Sequence, residues 1–155
     1  MIHRGVRATR VAAATVLVTA LAGCSLGPAS APDAADPRLV DALDEATSAV
    51  GTATLAADLL DEGRLTATVA DTALLDALRV VGEADDALTT LVPPDPSAAQ
   101  HRDEALRAVG TATDAVVAAR GWANGVEGDH AVVSAGLDGA ASALDALTTR
   151  LEGSS

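Results

Sequence analysis

The sequence predicts an all-α fold, an antiparallel up-down four-helix bundle built from two duplicated helical hairpins. Three observations carry that prediction. Apolar or small residues recur at alternating spacings of four and three, as in Leu39, Leu43, Ala46, Val50, Ala53, Ala57 and Leu60, which is the period of one helix face. No stretch shows the strict alternation of a strand. The chain also repeats itself: without a gap, residues 36–92 and 95–151 share 19 of 57 positions. Asp44-Glu45-Ala46 and Ala49-Val50-Gly51-Thr52-Ala53-Thr54 return 59 residues later as Asp103-Glu104-Ala105 and Ala108-Val109-Gly110-Thr111-Ala112-Thr113. Ordered blocks at one offset point to two copies of a unit, joined at Pro93-Pro94.

Each helix has its own signals. Asp36-Pro37 opens the first and Asp95-Pro96-Ser97 the third, a capping side chain followed by proline in the first turn. Gly63 and Asn124-Gly125 are stop signals. The second helix carries Leu74, Leu78, Val81, Leu88 and Val92. The third carries Ala105, Val109, Ala112, Val116 and Ala119, and the fourth Val133, Leu137, Ala140, Leu144, Leu147 and Leu151. Four helices of roughly 25 residues make a bundle about 35–40 Å long. Their Ala-rich seams allow close approach, which leaves little room for a ligand between them. Gly51, Gly82, Gly110, Gly136 and Gly139 fall inside helical patterns and are expected to serve the same close packing.

Aligning the two copies puts Arg102 in the slot of Leu43 and Asp85 in the slot of Leu144. Both stand about two turns from the Pro93-Pro94 connection. A partly buried Asp85–Arg102 ion pair is therefore expected, fixing which hairpin faces which more than adding stability. The alternative is that both point to water while Ala84 fills the seam.

Ahead of the repeats lies a different kind of sequence. Arg4, Arg7 and Arg10 precede an uncharged, mostly apolar run from Val11 to Ala22. A basic start and a short apolar core are the layout of an export signal. Twelve helical residues rise about 18 Å, short of the roughly 30 Å of a bilayer core. Ser25 to Ala35, with two prolines and a glycine, reads as a flexible linker.

Leu21-Ala22-Gly23-Cys24, at the end of the apolar run, resembles the lipobox of bacterial lipoproteins. The resemblance covers about the first 24 residues and says nothing of the helical part. It implies cleavage between Gly23 and Cys24 and acylation of Cys24, for example with palmitate. Residues 1–23 are then a signal peptide, 24–35 a lipidated cysteine and linker, and 36–152 the bundle. It further implies a chain held to the cell membrane by lipid, on the extracytoplasmic face. Two acyl chains anchor stably where one does not. The alternative is an uncleaved N-terminal helix with an incidental cysteine.

Composition narrows the function. After residue 23 there are seven arginines, no lysine and 22 acidic residues, a net charge of −15 with histidine neutral. A nucleic-acid partner needs a basic patch, and anionic lipid heads repel such a domain. The scarcity of residues with AT-rich codons points to a high-GC bacterial genome. Cys24 is the only cysteine, so no intramolecular disulfide forms.

Sites for chemistry are sparse. His101 and His130 fall at opposite ends of one hairpin and cannot share a metal; each is expected at the surface, and Asp129 is expected to cap the fourth helix. Asp58, Asp61 and Glu62 lack calcium-loop spacing and read as a solvated face. No Gly-x-Ser-x-Gly turn or phosphate-cradling loop occurs. No catalytic, cofactor or metal residues are therefore assigned. Trp122, the only aromatic, lies near the third turn, opposite the tethered end. It is a partner-contact candidate, tryptophan being favoured in binding hot spots, or else a plug for the bundle's end. The leading expectation is a non-catalytic envelope interaction or scaffold module that meets another envelope protein. The alternatives are a ligand-sensing or solute-binding bundle and, more remotely, an envelope enzyme.

Overall fold

Capping chemistry sets the helix boundaries in the computed structural model, which describes residues 36–126 and 128–153. α1 spans Pro37–Asp61, α2 Ala67–Thr90, α3 Pro96–Ala123 and α4 His130–Gly153. Asp36 caps α1 by accepting the Arg38 N–H at 2.9 Å, and Asp95 caps α3 by accepting that of Ala98 at 2.8 Å. Each is followed by proline, whose missing N–H is not needed in a first turn. Asp129 accepts the Ala131 N–H at 3.0 Å and opens α4, as expected. Gly63 and Gly125 have φ of 68° and 80°, the left-handed conformation that glycine adopts without a Cβ clash. They lie two residues past the ends of α1 and α3, at the start of the α1–α2 and α3–α4 turns. Leu91 is extended (φ −67°, ψ 126°), so α2 stops before Val92-Pro93-Pro94. Val92, expected in the seam of the second helix, is 87% exposed, because proline disfavours helical backbone in the residue before it.

The four helices form a bundle whose neighbours run in opposite directions. His130 at the start of α4 meets Asp58 and Asp61 at the end of α1. Arg150 near the end of α4 meets Glu104 near the start of α3 at 3.1 Å. Arg120 near the end of α3 meets Asp71 near the start of α2. Among the described residues no strand occurs, and no helix is long and apolar enough to cross a membrane.

The packing is not square. The backbones of α1 and α3 approach each other across one diagonal, whereas those of α2 and α4 stay more than 8 Å apart across the other. The sequence explains the difference. α1 buries Ala42, Leu43, Ala46, then Ala49, Val50, Ala53, and α3 buries Ala108, Val109, Ala112, then Ala115, Val116, Ala119. Three residues in seven make a stripe wide enough for three neighbours, and most are alanine, which permits close diagonal approach. α2 buries only Ala70, Leu74, Ala77, Val81, Ala84 and Leu88, and α4 only Val133, Leu137, Ala140, Leu144, Leu147 and Leu151. Two in seven suits a helix with two neighbours. The leucines of α2 and α4 thus fill the space around an alanine-lined α1–α3 contact.

The two halves repeat with a slip. Buried positions of α1 and α3 correspond at an offset of 59, as in Ala46/Ala105 and Ala53/Ala112. Those of α2 and α4 correspond at 63, as in Leu74/Leu137, Val81/Leu144 and Leu88/Leu151. Four extra residues have accumulated through a longer α3, 28 residues against 25, and a longer turn after it. Four residues are about one helical turn, so the fourth helix keeps its apolar face inward.

This slip removes the expected Asp85–Arg102 pair. The slot of Leu144 belongs to Val81, and Asp85 sits beside the seam, half-buried, with no ion pair among the described residues. Arg102 turns to its chain neighbour Asp103, Nη2 to Oδ1 at 2.7 Å, with a long contact of 3.5 Å from Nη1 to the Leu91 carbonyl. No charged or polar residue among those described is fully buried.

Candidate functional site at the α3–α4 turn

The bundle end formed by the α1–α2 and α3–α4 turns holds most of the side chains that could meet a ligand. Trp122, in the last turn of α3, is half-buried and packs against the apolar core. The His130 ring lies beside it, ring centres 5.2 Å apart and planes at 43°. His130 Nε2 is 3.2 Å from Asp58 Oδ1, and its Nδ1 is 3.5 Å from Asp61 Oδ2. These groups stand against the helix dipoles: two carboxylates at the end of α1 and an imidazole at the start of α4. Their contact across helices offsets part of that cost. Asp61 and Glu62 are exposed, as a solvated face requires, and Asp58 is half-buried. The reading of His130 as a surface histidine is corrected: it is half-buried, and both aspartates engage its ring.

A second cross-link lies beside the first. Asp71 accepts Asn124 Nδ2–H at 2.7 Å and Arg120 Nε–H at 2.8 Å. The Asn124 hydrogen bond, and after it the Arg120 hydrogen bond, hold the Asp71 carboxyl below its ordinary value of 3.8. Both are bonds to the charged form, which favour ionisation. The link ties the end of α3 to the start of α2. Neither cluster follows from sequence spacing, since the partners lie 49 to 72 residues apart. The i, i+3 placement of Asp58 and Asp61 at a helix end facing the start of α4 is the signal that could have found the first.

At the same end of the bundle, on the α3–α4 side, lies a groove of about 400 Å³ lined by Val117, Ala118, Gly121, Trp122, Val126, Val132 and Val133, with Gly128 and Asp129. Val126 folds over Gly121, where an added Cβ would lie 3.8 Å from the valine side chain. Trp122 is therefore neither a fully exposed tip nor a sealed plug. One part of it closes the core, and another forms the wall of a surface groove. The first unit has Gly63 at the equivalent position of the repeat.

The remaining expectations are placed as follows. Gly23 and Cys24 lie outside the described residues, as do the whole export signal and linker. His101 and His130 fall at opposite ends of the bundle. Among the described residues no group of three or more His, Cys, Asp or Glu side chains could hold a metal ion. The interior glycines do not serve close packing: a Cβ at Gly51, Gly82, Gly110, Gly136 or Gly139 would meet nothing within 4 Å.

No protein-family profile, curated protein or solved structure matches this chain.

Proposed function

We propose that the chain is an exported lipoprotein anchored through Cys24, and that its bundle is a non-catalytic cell-envelope interaction module meeting its partner around Trp122. The anchoring half of this reading is supported by the basic start, the short apolar run and Leu21-Ala22-Gly23-Cys24. The single observation that carries the interaction half is the open groove walled by Trp122, the only aromatic residue of the chain. Tryptophan buries a large area at low conformational cost and is enriched where binding energy concentrates.

A ligand-sensing or solute-binding bundle is the second reading, favoured by the groove's volume, which is in the range of small-molecule sites. Its placement weighs against it. The groove lies on the outside of one hairpin rather than between the two, and among the described residues Asp129 is the only charged one lining it.

The test has two arms. Labelled palmitate should enter the full chain and fail to enter Cys24→Ala; a mature, unlabelled chain free in the culture fluid overturns the anchoring. A photoreactive residue at position 122 should trap an envelope protein in cells, while one at exposed Thr72 on α2 should not. Trapping at neither position overturns the interaction reading.

A further inference from the structure

Three of the seven exposed large apolar residues among those described gather at the α3–α4 end, while Leu55, Val69, Leu75 and Val92 are scattered over α1, α2 and the α2–α3 connection. Val117, Val126 and Val132, which wall the groove with Trp122, are 53%, 63% and 72% exposed. From the groove a strip of small residues, here termed the trough, continues along α4. On α4, Val132, Gly136, Gly139 and Ala143 follow at i, i+4, i+7 and i+11, each one residue before a buried member of the core stripe. They flank that stripe on the side where Val132 meets Trp122 and Ala118 of α3. The space above Gly136 and Gly139 is open to beyond 4 Å. A glycine inside an exposed helix is unfavourable, and no described residue comes within 4 Å of a Cβ placed at either glycine. A smooth trough beginning in an apolar groove has the shape that an amphipathic helix fits.

The charges bordering the groove select the sign of that helix. Asp129 lines the groove, and exposed Asp114 stands one turn before Val117 and Ala118. The arginines at this end are occupied: Arg120 holds Asp71 and Arg64 holds Glu62. Arg107, two turns before Asp114, lies toward the far end of the trough. A second copy of this chain would bring its own net charge of −15 to an acidic rim, and like charges disfavour the encounter.

We propose that the α3–α4 face receives a basic amphipathic helix of a partner protein. An aliphatic side chain of leucine size seats against Trp122, and lysine or arginine faces Asp114 and Asp129. The proposal rests on the interaction reading of the bundle and names the partner's chemistry.

Trp122 makes the test direct, because a peptide without aromatics leaves it the only fluorophore. The full-length chain is titrated with a Leu/Lys peptide of about five helical turns, leucines at helical spacing. A saturable blue shift of Trp122 emission is expected, and none with the matching Leu/Glu peptide. Gly136→Leu fills the trough and Ala118→Arg reverses the sign of its edge. Each should weaken binding by about tenfold or more, whereas Thr72→Leu and Thr72→Arg on α2 should leave it unchanged. Circular dichroism confirms that each variant is folded, and Ala118→Arg decides the matter should Gly136→Leu unfold. Binding that is equal in all variants, or absent in the parent, overturns the proposal. A partner trapped at position 122 in cells, together with trough variants that bind like the parent, overturns this placement and leaves the interaction reading standing.

Discussion

Replacing the five interior glycines by alanine should stabilise the bundle strongly. Gly51, Gly82, Gly110, Gly136 and Gly139 all lie inside helices, and an added Cβ meets nothing within 4 Å at any of them. The folded state therefore gains no clash, while the unfolded chain loses backbone freedom. Glycine in a helix interior is about 0.8–1.0 kcal/mol less favourable than alanine. Five replacements sum to about 4–5 kcal/mol, and sites on different helices should add. Gly136 and Gly139 face each other one turn apart on α4, so their pair can depart from additivity by a few tenths of a kcal/mol. For a domain of this size 1 kcal/mol moves Tm by about 3–5 °C, so the quintuple variant should melt roughly 12–25 °C higher. Thermal melts followed at 222 nm check it, with each single variant alongside. A Tm unchanged or lowered would refute the reasoning, since it would mean that these positions carry strain or contacts absent from the structure.

Three further outcomes follow from the same packing. Leu144→Ala should cost about 2–5 kcal/mol in denaturant unfolding, because Leu144 is fully buried; Asp85→Ala should change stability by less than about 0.5 kcal/mol, and the reverse ranking would contradict the slipped register. Ala112→Leu, at the alanine-lined α1–α3 contact, should destabilise by about 1–3 kcal/mol through overpacking, with Gly82→Leu on an exposed face as control. Asp71→Asn should lower stability at neutral pH, and the gap to the parent should close on acidification. The folded-state pKa of Asp71 is depressed, so its contribution is complete above the ordinary value of 3.8 and disappears as pH falls through the folded value. A gap that stays constant down to acid-unfolding would show that the hydrogen bonds from Asn124 and Arg120 do not favour the ionised form.

Much of the architecture was readable from residue patterns. Capping at Asp36, Asp95 and Asp129, the glycine stops at 63 and 125, and the core stripes of α1, α3 and α4 are local signals, and they appear where spacing placed them. What failed was the transfer of slots between copies. Residue identities align α2 with α4 at 59 through Asp86-Ala87-Leu88-Thr89-Thr90, yet buried positions align at 63. Identity records descent, whereas burial answers to the length of the preceding helix and turn. One added turn before α4 matches Leu144 to Val81 rather than Asp85, which removes the ground for the predicted ion pair. The site was legible only in part. Trp122 stood out as the sole aromatic, but His130 with Asp58 and Asp61, and Asp71 with Arg120 and Asn124, depend on which helix ends meet in space. The groove depends on Val126, a turn residue with no periodic context to mark it.

That the backbones of α2 and α4 stay apart gives the molecule a spine and two wings. The spine, α1 against α3, lies close to every other element, while the backbone of each wing approaches the spine alone. Either wing can therefore lift briefly without disturbing its opposite, so amide protons on the wings should exchange with water before those on the spine. The surface proposed here for partner capture straddles one such seam, half on the spine and half on a wing. A helix seated there would clamp α4 down, and slowed exchange confined to α4 would be its signature.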